Sequence, residues 1–209
     1  MRLTLTPLIA MCVLSLAACG SQDNAAIEDA PVTAPATADT QPAGDEHAGH
    51  DAGQGQGQVL ARATLQPTKD SHVQGTIEFM QVDGKLHAMG QVSGLAPRSE
   101  HGFHIHEKGD CSAPDGSSAG GHFNPASRDH GSVTGEVHHG GDMPNIVADA
   151  DGNARVHGPV SPSVNIGQGD GADIIGRGLI VHADPDDYTT QPTGNAGARL
   201  ACAVIETAQ

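Results

Sequence analysis

Short runs of alternating apolar and polar residues, separated by turn-forming residues, dominate the chain from residue 59 onward. Alternation places successive side chains on opposite faces, which is typical of β-strands with one buried face. Asp83-Gly84 and Asp151-Gly152 each join two runs and favour hairpin turns, because glycine tolerates a positive φ. We find no convincing helical period in any long window. The pattern predicts an all-β sandwich or barrel with strands at Val59–Leu65, Val73–Val82, Lys85–Leu95, Gly102–His106, Asn145–Ala150, Ala154–Val160, Asp173–His182 and Arg199–Ile205.

The composition argues against a nucleic-acid partner. The chain of 209 residues has a formal net charge of −15, with three Phe, one Tyr and no Trp. Phosphate recognition needs a basic patch, and base stacking needs aromatic side chains. Neither is visible, so we expect no nucleic-acid binding. The 13 histidines point instead to metal or proton chemistry.

The first 19 residues have the pattern of an export signal. Arg2 is followed by the apolar run Leu5–Ala18, which is too short to span a bilayer. Leu16-Ala17-Ala18-Cys19 resembles the lipobox of bacterial lipoproteins, a resemblance that implies a lipoprotein signal peptide over residues 1–19 in which Cys19 is lipidated and becomes the mature N-terminus. The alternative is an ordinary secretory signal cleaved nearby, with Cys19 incidental.

Residues 20–57 have almost no large apolar side chains, so they cannot bury enough surface to offset the entropy of ordering. We predict a disordered acidic tether there, followed by a folded domain over residues 58–209. His47 and His50 in the tether are candidates for weak metal binding, against the alternative of a solvated polar linker.

The folded domain contains two cysteines, Cys111 and Cys202. In an oxidising compartment an even number favours a disulfide, which would close a loop of about 90 residues. The alternative is two buried free thiols.

Histidines cluster around one strand and the long connection that follows it. In the strand Gly102–His106, His104 and His106 share one face, while Phe103 and Ile105 face the core. A connection as long as residues 107–144 in a compact domain is usually functional or disordered, and this one is rich in metal-ligating side chains. Imidazoles with a carboxylate suit zinc, and imidazole-only sets suit copper. The further candidates are His122, His130, His139, Asp142 and, at the end of another strand, His182.

Four motifs in order make residues 58–206 resemble the copper/zinc superoxide dismutases, in particular their secreted bacterial lipoprotein branch. The motifs are Gly102–His106, Gly121–Pro125, His139–Asp142 and Gly194–Cys202. The resemblance implies a Greek-key β-barrel or sandwich of about eight antiparallel strands with long metal-binding loops. It also implies copper held by His104, His106, His122 and His182, and zinc held by His122, His130, His139 and Asp142.

The resemblance assigns roles to further residues. His122 bridges the two metals and takes part in proton transfer, Arg199 lies beside copper, and Cys111 pairs with Cys202. His138 is the competing choice for His139 as a zinc ligand. Asp186 links a copper ligand to a zinc ligand and fixes ring orientation, with Asp187 as the competing choice. Residues 185–193, where the family's electrostatic guiding loop lies, contain no lysine.

The implied activity is disproportionation of superoxide to O₂ and H₂O₂, protecting the cell envelope from extracellular superoxide. We expect an enzyme anchored to a membrane through its N-terminal lipid, on the periplasmic side or at the cell surface, with a homodimer possible. The alternative function is a cell-surface copper- and zinc-binding lipoprotein without turnover.

Overall fold

Nine β-strands form in residues 57–209, the part of the chain that this computed structural model describes. The predicted signal peptide, Cys19, His47, His50 and nearly all of the predicted tether lie outside the described residues. No helix in residues 57–209 is long and apolar enough to cross a membrane. The strands are β1 Val59–Pro67, β2 Gln74–Val82, β3 Lys85–Ser93, β4 Glu100–His101, β5 Phe103–His106, β6 Ile146–Val147, β7 Ala154–Pro159, β8 Gly178–His182 and β9 Arg199–Thr207.

Seven of these strands form one curled antiparallel sheet in the order β5-β8-β9-β1-β2-β3-β7, and β4 pairs with β6. Strands that follow one another in the chain are therefore not always neighbours in the sheet. The chain crosses from β3 to β5 at the far edge, and from β7 at the other edge to β8. These crossovers are the Greek-key connections, and the predicted all-β fold is confirmed.

The core follows the alternation seen in the sequence. In β1, Ala61, Ala63 and Leu65 are buried, and the residues between them are exposed. By contrast, every residue of β5 and β8 is buried, because the long connections cover the outer face there. Phe103 and Ile105 of β5 belong to the core, so His104 and His106 point to the opposite, covered face.

Two predicted strands differ from those observed. The strand predicted over Asp173–His182 begins only at Gly178, because the Asp173 carboxylate accepts three backbone N–H groups and folds the preceding residues into turns. Gly176 adopts a φ of 76° in this segment. The strand predicted over residues 145–150 shortens to Ile146–Val147, which pairs with the unpredicted strand Glu100–His101.

The predicted disulfide between Cys111 and Cys202 is present, with a Cα–Cα distance of 5.8 Å, so the alternative of two free thiols is wrong. It attaches the connection after β5 to β9 across a sequence separation of 91 residues. In the chain-entropy model, closing a loop of this size stabilises the fold by about 4–5 kcal/mol. Ala119 and Ile180 pack against Cys202 beneath this connection.

Candidate metal centre

The candidate ligands come from β5, from the end of β8 and from the connection between β5 and β6. Two stretches of that connection lie beside β5: Phe123 donates a backbone hydrogen bond to the Ile105 carbonyl, and Ile105 donates one to the Gly141 carbonyl. A Cβ on Gly141 would collide with the Ile105 carbonyl oxygen, so the close approach requires glycine. As a result His122 and Asp142 face the histidines of β5.

Four histidines form a first group, in which one ring nitrogen from each lies within 4.8 Å of the others. Nε2 of His106 is 3.3 Å from Nε2 of His182. Nδ1 of His104 and Nε2 of His122 are buried and have no hydrogen-bond partner in the described part of the chain. Buried polar atoms are rarely left without a partner, so these two nitrogens are candidates to bind a metal ion. The group is His104, His106, His122 and His182.

Three histidines and a carboxylate form a second group. Oδ1 of Asp142 lies 2.8 Å from Nδ1 of His122, 3.0 Å from Nδ1 of His130 and 3.4 Å from Nδ1 of His139. The other oxygen of Asp142 accepts the backbone N–H groups of His139 and Gly131. Three ring nitrogens and one carboxylate oxygen thus surround a single buried position.

His122 is the only residue that belongs to both groups. Its Nδ1 faces Asp142, and its Nε2 is the unpartnered nitrogen left for the first group. One imidazole therefore separates the two groups and offers a nitrogen to each.

Hydrogen bonds on the far side of the rings fix how the rings point. His106 donates from Nδ1 to the Gly120 carbonyl at 2.9 Å, and His182 donates from Nδ1 to the Gly197 carbonyl at 3.4 Å. Such bonds place the proton on one nitrogen and leave the lone pair of the other facing the centre.

A single carboxylate, that of Asp186, holds one ring from each group. His104 Nε2 donates to one oxygen at 2.8 Å, and His130 Nε2 donates to the other at 2.9 Å. Asp187 points elsewhere: its carboxylate accepts hydrogen bonds from Thr189 and Thr190 in a local turn.

Asn145, which the sequence analysis missed, clamps Asp186. Its side-chain oxygen accepts the backbone N–H of Asp186 at 3.0 Å, and its Nδ2 donates to the backbone carbonyl of Asp186 at 3.0 Å and to Glu100. Its backbone N–H donates to the hydroxyl of Tyr188. Its only signal in the sequence was its position three residues after Asp142, which does not distinguish it from an ordinary turn residue.

Burial keeps the rings of the first group unprotonated. It lowers the pKa of His182 to about 2 and that of His122 to about 4, although hydrogen bonds to Gly197 and Asp142 respectively oppose the shift. Burial, followed by the neighbouring charges, also lowers the pKa of His106 well below its ordinary value. At neutral pH these nitrogens present lone pairs, which cations require.

The Asp142 carboxylate of the second group remains ionised. Burial alone would raise the pKa of Asp142, but hydrogen bonds from His122, His130 and His139 hold that pKa well below its ordinary value. Burial would likewise lower the pKa of His130, but Asp142 and Asp186 raise it to about 9. At neutral pH His130 is therefore protonated, and a divalent cation binds beside the Asp142 carboxylate by displacing that proton.

Two other histidines close to the centre have different partners. His138 donates from Nδ1 to the Gly135 carbonyl, and its Nε2 lies 3.0 Å from the Ser161 hydroxyl, so the second group contains His139 rather than its neighbour. His101 contacts the Ser99 hydroxyl and the backbone carbonyl of His182. It therefore supports the end of β8.

Arg199 lies beside the first group because it pairs with His182 between β9 and β8. Its guanidinium donates to the carbonyls of Gly116 and Gly120 at 2.6 and 2.5 Å. The Gly120 carbonyl also accepts the Nδ1 proton of His106. The guanidinium is therefore held rigidly near the candidate copper ligands.

The donor sets fit copper and zinc. The first group offers four imidazole nitrogens, the set expected for copper, and two of them are buried without a partner. The second group offers three imidazole nitrogens and a carboxylate oxygen that converge on one buried position, which suits a tetrahedral zinc ion.

Comparison with known proteins gives consistent matches. The sequence model of the copper/zinc superoxide dismutase family matches residues 73–205. The protein named superoxide dismutase [Cu-Zn] 2 from Aquifex aeolicus is 41% identical over 139 residues, which cover 65% of this chain and 81% of that protein. The extracellular superoxide dismutase [Cu-Zn] of Brugia pahangi is 40% identical and is covered over 70% of its length.

Two solved structures share the fold. The crystal structure of a superoxide dismutase-like protein from Bacillus subtilis matches with a TM-score of 0.60 and 38% identity, covering 68% of this chain and 96% of that one. The clock protein EA4 matches with a TM-score of 0.63 and 39% identity, covering 72% of this chain and 95% of that one.

The contacts of Asp186 predict a specific effect on metal affinity. We expect Asp186→Asn to weaken zinc binding by about 10- to 100-fold, because an amide cannot accept hydrogen bonds from both His104 and His130. Competition against a zinc chelator measures the change. Asp187→Asn is the matched control, since it removes a carboxylate one residue away that contacts neither group. Equal affinities for the two variants would contradict the positioning role of Asp186.

Proposed function

Because the chain belongs to the copper/zinc superoxide dismutase family, we propose that the two buried groups are its metal sites. Its activity is the disproportionation of superoxide, and its cofactors are copper and zinc. In this proposal the copper ligands are His104, His106, His122 and His182, and the zinc ligands are His122, His130, His139 and Asp142.

One observation carries the assignment: the ring of His122 has one nitrogen in each group. A redox reaction between two small oxygen species needs one ion that changes oxidation state and protons supplied in step with the electrons. The shared ring couples electron transfer to proton supply, because a change of charge or protonation at Nε2 alters the electron density at Nδ1 of the same aromatic ring. This arrangement is consistent with family membership and with the paired donor sets.

The overall reaction converts two superoxide anions and two protons into one O₂ and one H₂O₂. When bound, copper supplies one-electron oxidation and reduction, and zinc, which has no redox chemistry, supplies fixed positive charge. The Nε2 of His122 is the atom of this chain that can hold a proton next to the product, because Nδ1 is committed to the second group.

The function is tested by removing the shared ring. We expect His122→Ala to lower superoxide disproportionation by about 100-fold or more, because the ring serves both groups and can hold the proton. Metal analysis of the full chain, with stopped-flow decay of superoxide, measures the outcome. His138→Gln is the control, since His138 contacts Gly135 and Ser161 instead.

The same experiment separates the alternative function. The proposal requires that the wild-type chain hold copper and zinc together and turn over superoxide. A chain that holds zinc alone, or binds metal without turnover, would identify a metal-binding lipoprotein instead.

Arg199 is the proposed binding and steering group for superoxide. The folded domain, residues 58–209, has 18 acidic and nine basic residues, so it repels an anion at long range. At ordinary salt, charges are screened beyond about 8–10 Å, so attraction must come from groups near the site. Arg199 is half-buried; burial lowers its pKa while the charge of Asp115 opposes this. Guanidinium groups stay protonated in proteins, and this one retains N–H donors beyond the two used on backbone carbonyls.

Neutralising this charge should slow the encounter with superoxide. For Arg199→Ala we expect the second-order rate constant to fall by about tenfold and its dependence on ionic strength to weaken, with metal content unchanged. Arg199→Lys, which keeps the charge, should recover part of the rate. A rate constant for the alanine variant equal to that of the wild type at every ionic strength would rule out the steering role.

We extend the proposal to the location of the enzyme. Residues 1–19 act as a lipoprotein signal peptide, Cys19 carries the lipid, and residues 20–57 tether the domain of residues 58–209 to a membrane of the cell envelope. Support comes from the lipobox-like sequence, from the disulfide, which suits an oxidising compartment, and from the extracellular relative in Brugia pahangi. The enzyme then protects the envelope from extracellular superoxide. The homodimer stays a prediction.

Replacing the lipid-bearing cysteine tests the anchor. With Cys19→Ser we expect the protein to lose incorporated fatty acid and to leave the membrane fraction, since no other hydrophobic segment remains after signal cleavage. Cys12→Ser is the matched control, because that residue lies within the signal peptide. Labelling of growing cells with a radioactive fatty acid, followed by fractionation, measures both. Equal labelling of wild type and Cys19→Ser would contradict the anchor.

A further inference from the structure

A cluster of two methionines and two histidines lies on the outer face of the sheet, away from the metal centre. Met80 in β2 pairs directly with His87 in β3, and Met89 in β3 pairs directly with His157 in β7. The residues that alternate with them, Phe79, Ala88 and Val156 among others, are buried in the core, so all four face outward. We call these four residues the Met–His face.

Every member of the Met–His face is an opposite or diagonal neighbour of His87 or Met89 in β3, while Met80 and His157 lie on either side of that strand. Directly opposite residues have Cβ atoms about 4.5–5.5 Å apart, and diagonal neighbours are about 7–8 Å apart. The ring centroids of His87 and His157 are 6.0 Å apart. Within the copper group the corresponding distances run from 4.1 Å for His104 and His122 to 6.5 Å for His104 and His106. The two outer rings are thus as close as rings that share an ion.

Nδ1 of His87 supplies an independent indication. It is buried and lacks a hydrogen-bond partner in the described residues, like Nδ1 of His104 and Nε2 of His122 in the first group. A buried nitrogen without a partner is costly, and a bound cation would satisfy it.

The chemistry of the donors selects the ion. Thioethers are soft ligands that favour Cu(I), and imidazole accepts copper as well. The nearest hard ligand in the pattern is Glu78, which pairs with Met89, but its carboxylate is bound to Arg62 at 2.6 Å. We propose that Met80, His87, Met89 and His157 form a Cu(I)-binding site on the outer face of the sheet.

The site is separate from the metal centre. The Met–His face lies on β2, β3 and β7, whereas the centre is built on β5, β8 and the connections that cover them, at the other end of the strand order. Filling one site therefore leaves the ligands of the other free. The Met–His face holds a cuprous ion that is additional to the catalytic copper.

The described chain begins beside this face, so the experiment must separate copper bound by the face from copper bound by the histidines of the preceding sequence. A Cβ on Gly57 would lie 3.6 Å from Cβ of Met80, which places the start of the described chain beside the face. His50 precedes Gly57 by seven residues and His47 by ten. Copper captured by these two histidines has to be distinguished from copper captured by the face.

The test is an anaerobic titration of the full chain, loaded beforehand with copper and zinc, using the Cu(I) complex of bicinchoninate as the probe. We expect H87N/H157N to bind one Cu(I) fewer per chain than the wild type. M80L/M89L should weaken Cu(I) binding by about tenfold or more, without changing the amount of Zn²⁺ bound, because only the soft donors are lost. H72N is the control, since His72 is exposed and belongs to neither site.

Two further measurements decide whether the additional Cu(I) is bound by the Met–His face or by His47 and His50. H47N/H50N should retain the additional Cu(I), and X-ray absorption of that variant should show sulfur bound to copper, a signal that M80L/M89L abolishes. Circular dichroism and superoxide turnover should be unchanged in all four variants, which shows that they fold. The proposal is overturned if the wild type takes up no additional Cu(I), if H87N/H157N retains it, or if H47N/H50N removes it.

Discussion

The backbone of Ile105 holds the metal centre together. Its carbonyl accepts the N–H of Phe123, its own N–H donates to the carbonyl of Gly141, and Gly141 donates to Phe123. These three bonds join two distant stretches of an otherwise irregular connection to the middle of β5. His122 and Asp142 are each next to one of the bonded residues, so they face His104 and His106. Without this small backbone network the ligands would lie on independent loops.

Electrostatic balance then keeps the buried ligands compatible with one another. Several imidazoles in a dry interior cannot all be protonated, and burial lowers the pKa of those in the first group. Two carboxylates, Asp142 and Asp186, stay ionised because histidine and backbone N–H groups surround them. Lone pairs and negative charge are thereby concentrated at two adjacent points, which is the environment that copper and zinc need. Asn145 holds this balance in place by fixing the backbone of Asp186.

Much of the fold followed from residue patterns. Alternation identified β1, β2, β3 and β7 closely, because a strand with one wet face repeats every two residues. The pattern failed where the surroundings decided the structure. Asp173 lies in an apolar stretch that reads as strand, yet its carboxylate binds three backbone N–H groups and makes turns. The three N–H groups belong to Gly167, Gly169 and Ile175, so this turn is local, but an alternation of apolar and polar residues does not register a carboxylate bound to backbone N–H groups.

The sequence by itself determined the residue types at the site: histidine at alternate positions of one strand, glycine where chains approach closely, and two cysteines in the domain. Only the tertiary structure decided between neighbours of the same type. His139 rather than His138 enters the second group, because the ring of His138 is hydrogen-bonded to Ser161. Asp186 rather than Asp187 links the two groups, because the carboxylate of Asp187 is hydrogen-bonded within the turn of residues 187–190. Adjacent residues are equivalent in a sequence pattern, and their directions differ only once the backbone has its fold. The pairing of two methionines with two histidines across β2, β3 and β7 depends on strand register, which no single segment contains.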